Sequence, residues 1–306
     1  MKGPELSKLV IASAETDADL EAMIAVRKIV TPRARPNVAN LRHALESSTE
    51  GLTFVVARLG DEPVACGFVE GPAADFAAAD VAVVPDRRRM GIGSAVLAHV
   101  SARARELGKD VLQLQVVRSD ESSRSFLEHR GFQKVGGEEA VSLKLDGPPP
   151  APVPPDGVRL FSRRERPEVV EAMYEVYVEC DEDVPGSSGP MTLAGWRALD
   201  IDRPTRSPDL AFVAFDGDEV VGYAVADLFG DEGHHGFTAV KRAWRRRGVA
   251  TALKRAQIAA ATELELKRLV TGSEERNLPM RSLNAKLGYR PDPELSVVVL
   301  QGPTQA

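Results

Sequence analysis

Two short stretches of this chain combine arginines with glycine just before a run that predicts a helix. The first is VVPDRRRMGIGSAVL, from Val83 to Leu97, and the second is TAVKRAWRRRGVATAL, from Thr238 to Leu253. Backbone amides at the start of a helix lack partners within the helix, and the helix dipole adds positive potential there. Such a loop suits a phosphate, above all a pyrophosphate, and glycine lets it approach the backbone closely. For either stretch alone, a polar turn with solvated arginines is the alternative.

A constant spacing relates the two stretches and argues against two unrelated turns. The pairs separated by 157 residues are Val83 and Val240, Gly91 and Gly248, Gly60 and Gly217, and Gly131 and Gly288. The last two glycines are each followed by an aromatic residue, Phe132 or Tyr289. An offset that holds over roughly eighty residues predicts one supersecondary design used twice. The helical segment that opens each half does not keep this register, so we expect the halves to differ there in substrate contacts.

The elements around the stretches predict the same order in each half. A strand is followed by two helices, a β-hairpin, a further strand, the arginine–glycine loop, a helix, a strand, a second helix and a last strand. The hairpins turn at Gly60-Asp61-Glu62 and Gly217-Asp218-Glu219. We predict helices that include 17–30, 93–107, 193–199 and 277–287, and strands that include 111–117, 237–240 and 297–300. The fold class is therefore mixed α/β.

A proline-rich segment separates the halves. Residues 147–157 read GPPPAPVPPDG, which blocks helix and interior strand and favours an extended linker. We predict an N-terminal domain over 1–146, a linker over 147–157 and a C-terminal domain over 158–306. A proline-motif ligand for a partner domain is the alternative for the linker.

The composition excludes several function classes. The chain has 306 residues and a net charge of −6, whereas a nucleic-acid binder is usually basic. Cys66 and Cys180 are the only cysteines, which gives neither a disulfide framework nor a metal-binding spacing. The sequence shows neither an apolar run of membrane-spanning length nor a signal-peptide core. We expect a cytoplasmic protein with no metal, no nucleic acid and no membrane as partners.

Both halves carry the pattern R-x-x-G-x-G/A, followed by the late glycine–aromatic pair. It reads Arg88, Gly91 and Gly93 in the first half and Arg245, Gly248 and Ala250 in the second. In this order of elements and motifs the chain resembles the GNAT superfamily of acyl-CoA-dependent N-acetyltransferases, twice over. The resemblance implies two tandem GNAT folds, each a central, mostly antiparallel twisted sheet flanked by helices. A dinucleotide fold is disfavoured because the loop lacks the third glycine of that fingerprint.

The resemblance also implies that acetyl-CoA binds as acetyl donor. The loop amides would hold the pyrophosphate, and the strand before each loop would pair with the pantetheine arm. The implied coenzyme-binding residues of the first half are Val83, Val84, Arg88, Arg89, Met90, Gly91, Ile92, Gly93 and Ser94. Those of the second half are Val240, Lys241, Arg245, Arg246, Arg247, Gly248, Val249, Ala250, Thr251 and Asn277. Simple solvation is the alternative for Arg87 and Arg247, and an N-cap for Asn277.

Catalysis requires a group that takes a proton from the amine and a way for the thiolate to leave. Many GNAT enzymes use a tyrosine four residues before the late glycine, but Leu127 and Asn284 stand there in this sequence. We take Glu179, His235 and Asn284 as the catalytic candidates, because they lie in an acidic run, a histidine pair and the motif helix of the second half. The second half is therefore favoured as the catalytic half.

The expected activity is transfer of an acetyl group to a primary amine of a small molecule by direct attack. The acceptor stays open between a mycothiol-synthase-like substrate, an aminoglycoside and another amine. A non-catalytic acyl-CoA-binding or sensor protein is the alternative, because both halves lack the tyrosine. The protein is expected to act as a monomer or a homodimer.

Overall fold

A computed structural model describes residues 6–33, 35–48, 51–71, 74–184 and 189–305. Its helices are α1 (Asp17–Val30), α2 (Val38–Ser47), α3 (Ile92–Glu106), α4 (Glu121–Glu128), α5 (Val170–Asp181), α6 (Leu193–Trp196), α7 (Val249–Glu263) and α8 (Leu278–Lys286). Its strands are β1 (Leu9–Ser13), β2 (Thr53–Leu59), β3 (Glu62–Glu70), β4 (Ala77–Val83), β5 (Val111–Val117), β6 (Gln133–Lys144), β7 (Val158–Ser162), β8 (Phe212–Asp216), β9 (Glu219–Phe229), β10 (Glu232–Val240), β11 (Arg268–Glu274), β12 (Arg290–Pro291) and β13 (Val297–Pro303).

The chain divides into two units. The first comprises Met1–Gly137 and Val297–Ala306, and the second comprises Glu138–Ser296. The first unit therefore includes the last residues of the sequence, and the second unit begins within the predicted N-terminal domain, at Glu138. The predicted bounds of the domains and of the linker at 147–157 stay a prediction.

The sheet of the first unit runs in the order β1-β2-β3-β4-β5-β13. All neighbours are antiparallel except β4 and β5, which are parallel. The C-terminal strand β13 pairs with β5 over seven residues, from Val297 opposite Val117 to Pro303 opposite Val111. Leu300 of β13 is fully buried in the core of this unit, beside residues of α3 and β5. The end of the sequence thus completes the sheet that its beginning started.

The sheet of the second unit repeats this order as β7-β8-β9-β10-β11-β6. The parallel pair is β10 and β11, and residues 138–144 of β6 pair antiparallel with β11. Strand β6 stands here where β13 stands in the first unit. The prediction of a mixed, mostly antiparallel sheet flanked by helices, made twice, is confirmed.

Capping residues explain where several helices begin. Thr16 forms a capping box with Asp19 at the start of α1, and Asn37 accepts from the amide of Asn40 at the start of α2. Asp120 accepts from the amide of Ser123 in the same way at α4. Aspartates in the first turn of α1 further favour the helix through its dipole.

Three predicted elements differ from the observed ones. The predicted helix 193–199 is α-helical only to Trp196 and continues as a π-helical turn from Arg197 to Ile201. Strand β10 begins at Glu232 and not at residue 237, because its first residues pair with β9 and β11. The last strand of the first half is predicted only over 141–145, whereas the observed β6 already begins at Gln133.

Candidate functional site

The first arginine–glycine loop leads directly from β4 into α3. Its backbone passes through the left-handed region at Arg89 (φ 64°) and again at Gly91 (φ 90°), the N-cap of α3. This conformation costs an L-residue about 1–2 kcal/mol, so Arg89 is strained, whereas glycine at 91 is not. Among the described residues, no side chain caps α3. Its first amides are therefore available to an anion.

The second loop has the same backbone conformation. Arg246 (φ 59°) and Gly248 (φ 97°, the N-cap of α7) stand 157 residues after Arg89 and Gly91. Apart from these two arginines, only Glu265 among the described non-glycine residues has a positive φ. The two copies of the repeat predicted from sequence spacing therefore also share their positive φ angles at corresponding residues.

The arginine before each strained residue ties its loop to the preceding strand. Arg88 Nε donates to the carbonyl oxygen of Val83 at 3.1 Å, and Arg245 Nε donates to that of Val240 at 3.0 Å. These hydrogen bonds fix the entry of the chain into the loop. Both arginines were predicted to bind coenzyme, and the structure shows that the Nε atom of each is hydrogen-bonded to the preceding strand.

The two parallel strands at each loop pair only at their beginnings. Residues 77–79 of β4 pair with 112–114 of β5, and 232–234 of β10 pair with 268–270 of β11. Beyond these three residue pairs, no further β-ladder pairs join β4 to β5 or β10 to β11. Unpaired strand edges offer backbone donors and acceptors to an extended ligand.

The opening in the first unit is a cavity of about 520 Å³. It is bordered by β4, β5, α4 and the loop. Of the predicted coenzyme-binding residues, those that line it are Val83, Arg88, Arg89, Gly91, Gly93 and Ser94. Val84 and Ile92 lie instead in the hydrophobic core, and Met90 packs against it. The cavity therefore brings together the polar part of the predicted loop set.

Arg130 also lines this cavity and was missed in the sequence. Its guanidinium stacks 3.8 Å from the centroid of the Phe126 ring, and Nη2 donates to Ser94 Oγ at 2.8 Å. The signal available in the sequence was the four-residue spacing of Phe126, in the last turn of α4, and Arg130, in the turn that follows this helix. This contact adds a fixed positive charge beside the loop.

The arginines at the second loop are engaged by the acidic run that ends α5. Arg242 Nη2 lies 2.8 Å from Glu182 Oε2, and Arg245 Nη2 lies 2.7 Å from Asp183 Oδ2. The side chains of Arg245 and Arg242 lower the pKa of Asp183. The acidic run thus pairs with Arg245, whereas the corresponding Arg88 of the first unit lines a cavity.

Glu179, a predicted catalytic residue, belongs to the same acidic run. Its Oε1 accepts from the backbone N–H of Arg242 at 2.6 Å, in the turn before the second loop. The neighbouring Cys180 donates from Sγ to the carbonyl oxygen of Val240. The structure therefore places Glu179 at the base of the loop, where it holds the backbone.

Other predicted coenzyme-binding residues of the second loop have separate surroundings. Lys241 forms an ion pair with Glu219 at 2.7 Å, and the Arg247 guanidinium lies 4.9 Å from the centroid of Trp244. Val249 is buried in the core, whereas Ala250 and Thr251 are half-buried in the first turn of α7. Coenzyme contacts of these residues stay predictions.

His235, the second catalytic candidate, lies in a directional chain of hydrogen bonds. Gln257 Nε2 donates to the carbonyl oxygen of Leu210 at 2.8 Å, so its Oε1 accepts from His235 Nδ1 at 2.9 Å. His235 Nε2 then accepts from the Tyr289 hydroxyl at 2.5 Å. Burial and the nearby Lys254 lower the pKa of His235, which agrees with this neutral ring. Proton transfer by His235 would require one of its partners to move.

Lys254 is the unexpected member of this cluster. It is 1% exposed, its Nζ lies 5.8 Å from the centroid of Tyr289, and burial lowers its pKa to about 7. The residue 157 positions earlier is Leu97, in the core of the first unit. Comparison of the two repeats was the signal that could have revealed a polar core in the second half.

The two asparagines of the motif helix have different surroundings. Asn277 Oδ1 accepts from the amide of Met280 at 3.2 Å, so the predicted N-cap of α8 is confirmed. Asn284 is 1% exposed, and its Nδ2 lies 3.5 Å from Ser273 Oγ. Its Oδ1 has no hydrogen-bond partner among the described residues.

The structure does not bring the three catalytic candidates together. Within the described ranges, no hydrogen bond or ion pair joins Glu179, His235 and Asn284 to one another. Their catalytic roles stay predictions. None of the described helices is long and apolar enough to cross a membrane.

The family model described as "Acetyltransferase (GNAT) family" matches residues 23–132 and again 170–289. The chain belongs to this family. The two matched regions contain the two loops, so the GNAT resemblance inferred from the repeated motif is confirmed in both halves. Acetyl transfer is the general activity that this membership supports.

One curated relative is a mycothiol acetyltransferase from Catenulispora acidiphila. It is 30% identical to this GNAT protein over 190 residues, which cover 57% of this chain and 56% of the relative. The alignment thus spans about half of the relative's length.

Solved structures with the same fold include two that match nearly the whole chain. One is a GCN5-related N-acetyltransferase from Sphaerobacter thermophilus, with a TM-score of 0.75 and 20% identity, covering 98% of this chain and 96% of that one. The other is a tandem GNAT protein from the clavulanic acid biosynthesis pathway, with a TM-score of 0.77 and 22% identity, covering 97% and 99%. At these identities the likeness establishes the fold, including its tandem arrangement.

Proposed function

We propose that this protein transfers an acetyl group from acetyl-CoA to a primary amine of a small molecule by direct attack. One repeated arrangement carries the proposal: an arginine–glycine loop with left-handed backbone stands beside two parallel strands that pair only at their beginnings. In the first unit this arrangement borders a cavity of about 520 Å³. A loop of amides suits the pyrophosphate, and an unpaired strand edge suits the amide-bearing arm.

The residues that would hold acetyl-CoA fit its chemistry. The first-turn amides of α3 and α7 would donate hydrogen bonds to the pyrophosphate. Arg89, Arg130 and Arg246 would add positive charge near it. Acetyl-CoA supplies the activated acyl group as a thioester. The chain supplies orientation, which alone lowers the barrier of a bimolecular reaction by several kcal/mol.

The second half is better equipped for the chemical step. The ladder between β9 and β10 shifts register between His235 and Thr238, which leaves residues 236 and 237 outside it. Amides released from a ladder can polarise a thioester carbonyl. In the first unit the ladder between β3 and β4 is continuous from Ala65 to Glu70, and Asp80 of β4 forms an ion pair with Arg27.

A second function, binding of acyl-CoA without chemistry, fits the first unit better. Its cavity is lined by the loop, but the strand beside the cavity lacks the bulge, and its carboxylate Asp80 is paired. We therefore propose that both halves bind the coenzyme, the first half without chemistry, and that the second half also catalyses transfer.

The acceptor is proposed from the relatives and the site. Similarity to a mycothiol acetyltransferase makes an amine related to its substrate one candidate, and aminoglycosides are another. We propose further that the protein works in the cytoplasm as a monomer or homodimer, without nucleic acid or membrane.

The test combines binding with turnover. Calorimetry measures acetyl-CoA binding, and release of free thiol from acetyl-CoA is then followed with a panel of primary amines that includes both acceptor classes. The proposal expects thiol release with at least one amine and formation of the matching amide. Tight binding of acetyl-CoA without thiol release by any amine would leave only the binding function.

A further inference from the structure

The bulge in β10 places two residues of this strand opposite one residue of β9. The ladder between the two strands is regular up to His235 and resumes at Thr238, so residues 236 and 237 both stand opposite Val225. Such a bulge bends its strand and re-aims the backbone, often next to a functional site. The corresponding residues of the first unit, 79 and 80, pair regularly with β3. The bulge at this position is therefore specific to the second unit.

Arg206 is anchored to β9 on the side away from the bulge. It pairs with Asp227 of β9 in an antiparallel bridge, and the N–H of Ser207 donates to the carbonyl oxygen of Ala226 at 3.0 Å. Since Asp227 pairs with His234 of β10 on its other side, the backbone of Arg206 and the bulge lie on opposite sides of β9. A side chain that reaches the bulge from Arg206 must therefore cross β9.

The Arg206 guanidinium occupies the space that a side chain at residue 236 would need. A Cβ atom at Gly236 would lie only 2.5 Å from Arg206 Nη1 and 3.2 Å from its Nη2. Gly236 does not have a positive φ, so its backbone conformation does not require glycine. The absence of a side chain at this bulge position is therefore explained by the guanidinium, which packs directly against the backbone of the bulge.

Two carboxylates and a carbonyl group hold the guanidinium in this place. Its Nη2 lies 3.6 Å from Asp227 Oδ2 and 3.7 Å from Asp200 Oδ1, and it donates to the carbonyl oxygen of Leu199 at 3.2 Å. The π-helical turn Arg197–Ile201 supplies the last two of these groups. The Arg206 side chain is 1% exposed, so moving it would separate a buried charge from its partners. The guanidinium is therefore a fixed group behind the bulge.

The same guanidinium leaves two of its donor atoms without acceptors. Arg206 Nε and Nη1 are buried and make no hydrogen bond to any residue that the structure describes. A buried donor without an acceptor lowers the stability of the folded chain. The contact with the bulge is therefore not explained by stability, and arrangements of this kind are typical of functional positions.

We infer that Arg206 is a positioning residue for acetyl transfer in the second half: it packs against Gly236 and so holds residues 236 and 237 in the conformation that polarises the thioester carbonyl. In that step the amine nitrogen bonds to the carbonyl carbon, and the oxygen carries negative charge until the carbon–sulfur bond breaks. The departing thiolate takes the proton that nitrogen loses. Hydrogen bonds from the bulge stabilise the charge on oxygen. The inference rests on the proposed function, because the bulge acts only on acetyl-CoA bound at the second loop.

A double-mutant cycle in the full chain tests the contact without any ligand. Gly236→Ala places a Cβ atom against the guanidinium, and Arg206→Lys keeps the charge but removes the planar group. We expect Gly236→Ala to lower the midpoint of urea unfolding, and to lower it at most half as much in the Arg206→Lys background. Arg203→Lys is the matched control, because Arg203 also pairs with Asp227 but is 36% exposed; it should leave the effect of Gly236→Ala unchanged. Equal effects of Gly236→Ala in the wild-type and Arg206→Lys backgrounds would overturn the contact.

The carbonyl stretching frequency of bound acetyl-CoA tests the positioning role. Infrared difference spectra are recorded with acetyl-CoA carrying ¹³C at the thioester carbon, in a Gly91→Asp background that removes the first loop site. We expect binding to lower the frequency from its value in solution. Gly236→Ala and Arg206→Lys should each lose at least half of this shift, with acetyl-CoA affinity changed less than about threefold, and Arg203→Lys should keep it. A merely structural role of Arg206 would change stability and leave the frequency unchanged.

The outcomes separate this inference from the proposed function. A frequency lowered equally in the parent and in both variants, or not lowered in the parent, overturns the positioning role and leaves acetyl-CoA binding at the second loop intact. Gly236→Ala alone decides if Arg206→Lys does not fold. Coupling between residues 206 and 236 without any binding of acetyl-CoA at the second loop overturns the proposed function, and the positioning role with it, and leaves Arg206 only as the residue that shapes the bulge.

Discussion

In the first half the arginine–glycine loop borders a cavity, whereas in the second half the arginines of an equivalent loop bind the acidic end of α5. The loop backbones are alike at Arg89 and Arg246 and at Gly91 and Gly248. The difference lies in the segments that do not keep the 157-residue register and in the polarity of the core behind the loop. A duplicated fold has thus kept its anion-binding loop and changed the groups around it.

The core difference follows the repeat position by position. His235, Lys254 and Tyr289 of the second half correspond to Ala78, Leu97 and Phe132 of the first. The three residues of the second half form a buried polar cluster, whereas the three of the first half are apolar. Burying such groups lowers stability unless they are paired, so their presence in one half only is consistent with a more specialised second half.

The largest effect is expected from removing the exchanged strand. A chain that ends at Ser296 lacks β13, which pairs with β5 over seven residues and places Leu300 in the core. We expect the first half to lose its cooperative unfolding transition and its acetyl-CoA binding. Circular dichroism and calorimetry measure both, with a chain that ends at Pro303 as the control. Full acetyl-CoA binding by the first loop of the shorter chain would contradict the exchange.

The buried lysine should make stability depend on pH in one direction. The pKa of Lys254 is about 7 in the folded chain and about 10.4 in the unfolded one, so the unfolded chain binds more protons between these values. The free energy of unfolding should therefore rise with pH across this window, by up to about 1.4 kcal/mol per pH unit.

Lys254→Leu, which copies Leu97 of the first half, should remove most of this rise in urea unfolding measured at pH 7 and pH 9. Lys286→Leu, at an exposed position of α8, is the control and should keep it. An unchanged pH dependence in Lys254→Leu would mean that this ammonium is not buried.

A single negative charge at the second loop should weaken binding there. A Cβ at Gly248 would meet no atom within 4 Å, so substitution acts through the left-handed backbone and through charge. Asparagine tolerates this conformation and separates the two causes. We expect Gly248→Asp to weaken the calorimetric affinity of one acetyl-CoA site about tenfold or more and Gly248→Asn to change it much less. Similar affinities for both variants would argue against pyrophosphate at this loop.

The smallest effect is expected from releasing the loop arginines. Asp183→Asn removes a carboxylate that binds both Arg242 and Arg245. Since exposed ion pairs are weak, we expect acetyl-CoA to bind the second loop only about two- to threefold more tightly in low salt. Weaker binding would show that Asp183 instead organises the loop.

Local patterns were sufficient for most of the fold and for the two loops. The helix predicted over 17–30 begins where expected, after the N-cap Thr16, and Asn277 is an N-cap as its sequence context suggested. The repeated glycines predicted two like loops. These features could be predicted because caps and left-handed positions depend on neighbouring residues. The same patterns predicted a continuous helix over 193–199, since so short a run cannot distinguish α-helical from π-helical spacing.

The exchange of strands and the buried polar cluster could not be predicted in this way. The strand 297–303 is a suitable partner for β5 and for its counterpart β11, because both halves have the same design, and only the folded chain decides between them. A binary hydrophobic pattern places Lys254 at the surface, because burial of a charge depends on tertiary neighbours that the pattern does not contain.

The stoichiometry of acetyl-CoA binding tests the central claim most directly. Calorimetry or native mass spectrometry should find two acetyl-CoA molecules per chain in wild type. One should be lost in Gly91→Asp, the other in Gly248→Asp, and both in the double variant. Binding of two molecules that survives both substitutions, or no binding in wild type, would contradict the assignment of the two loops as coenzyme sites.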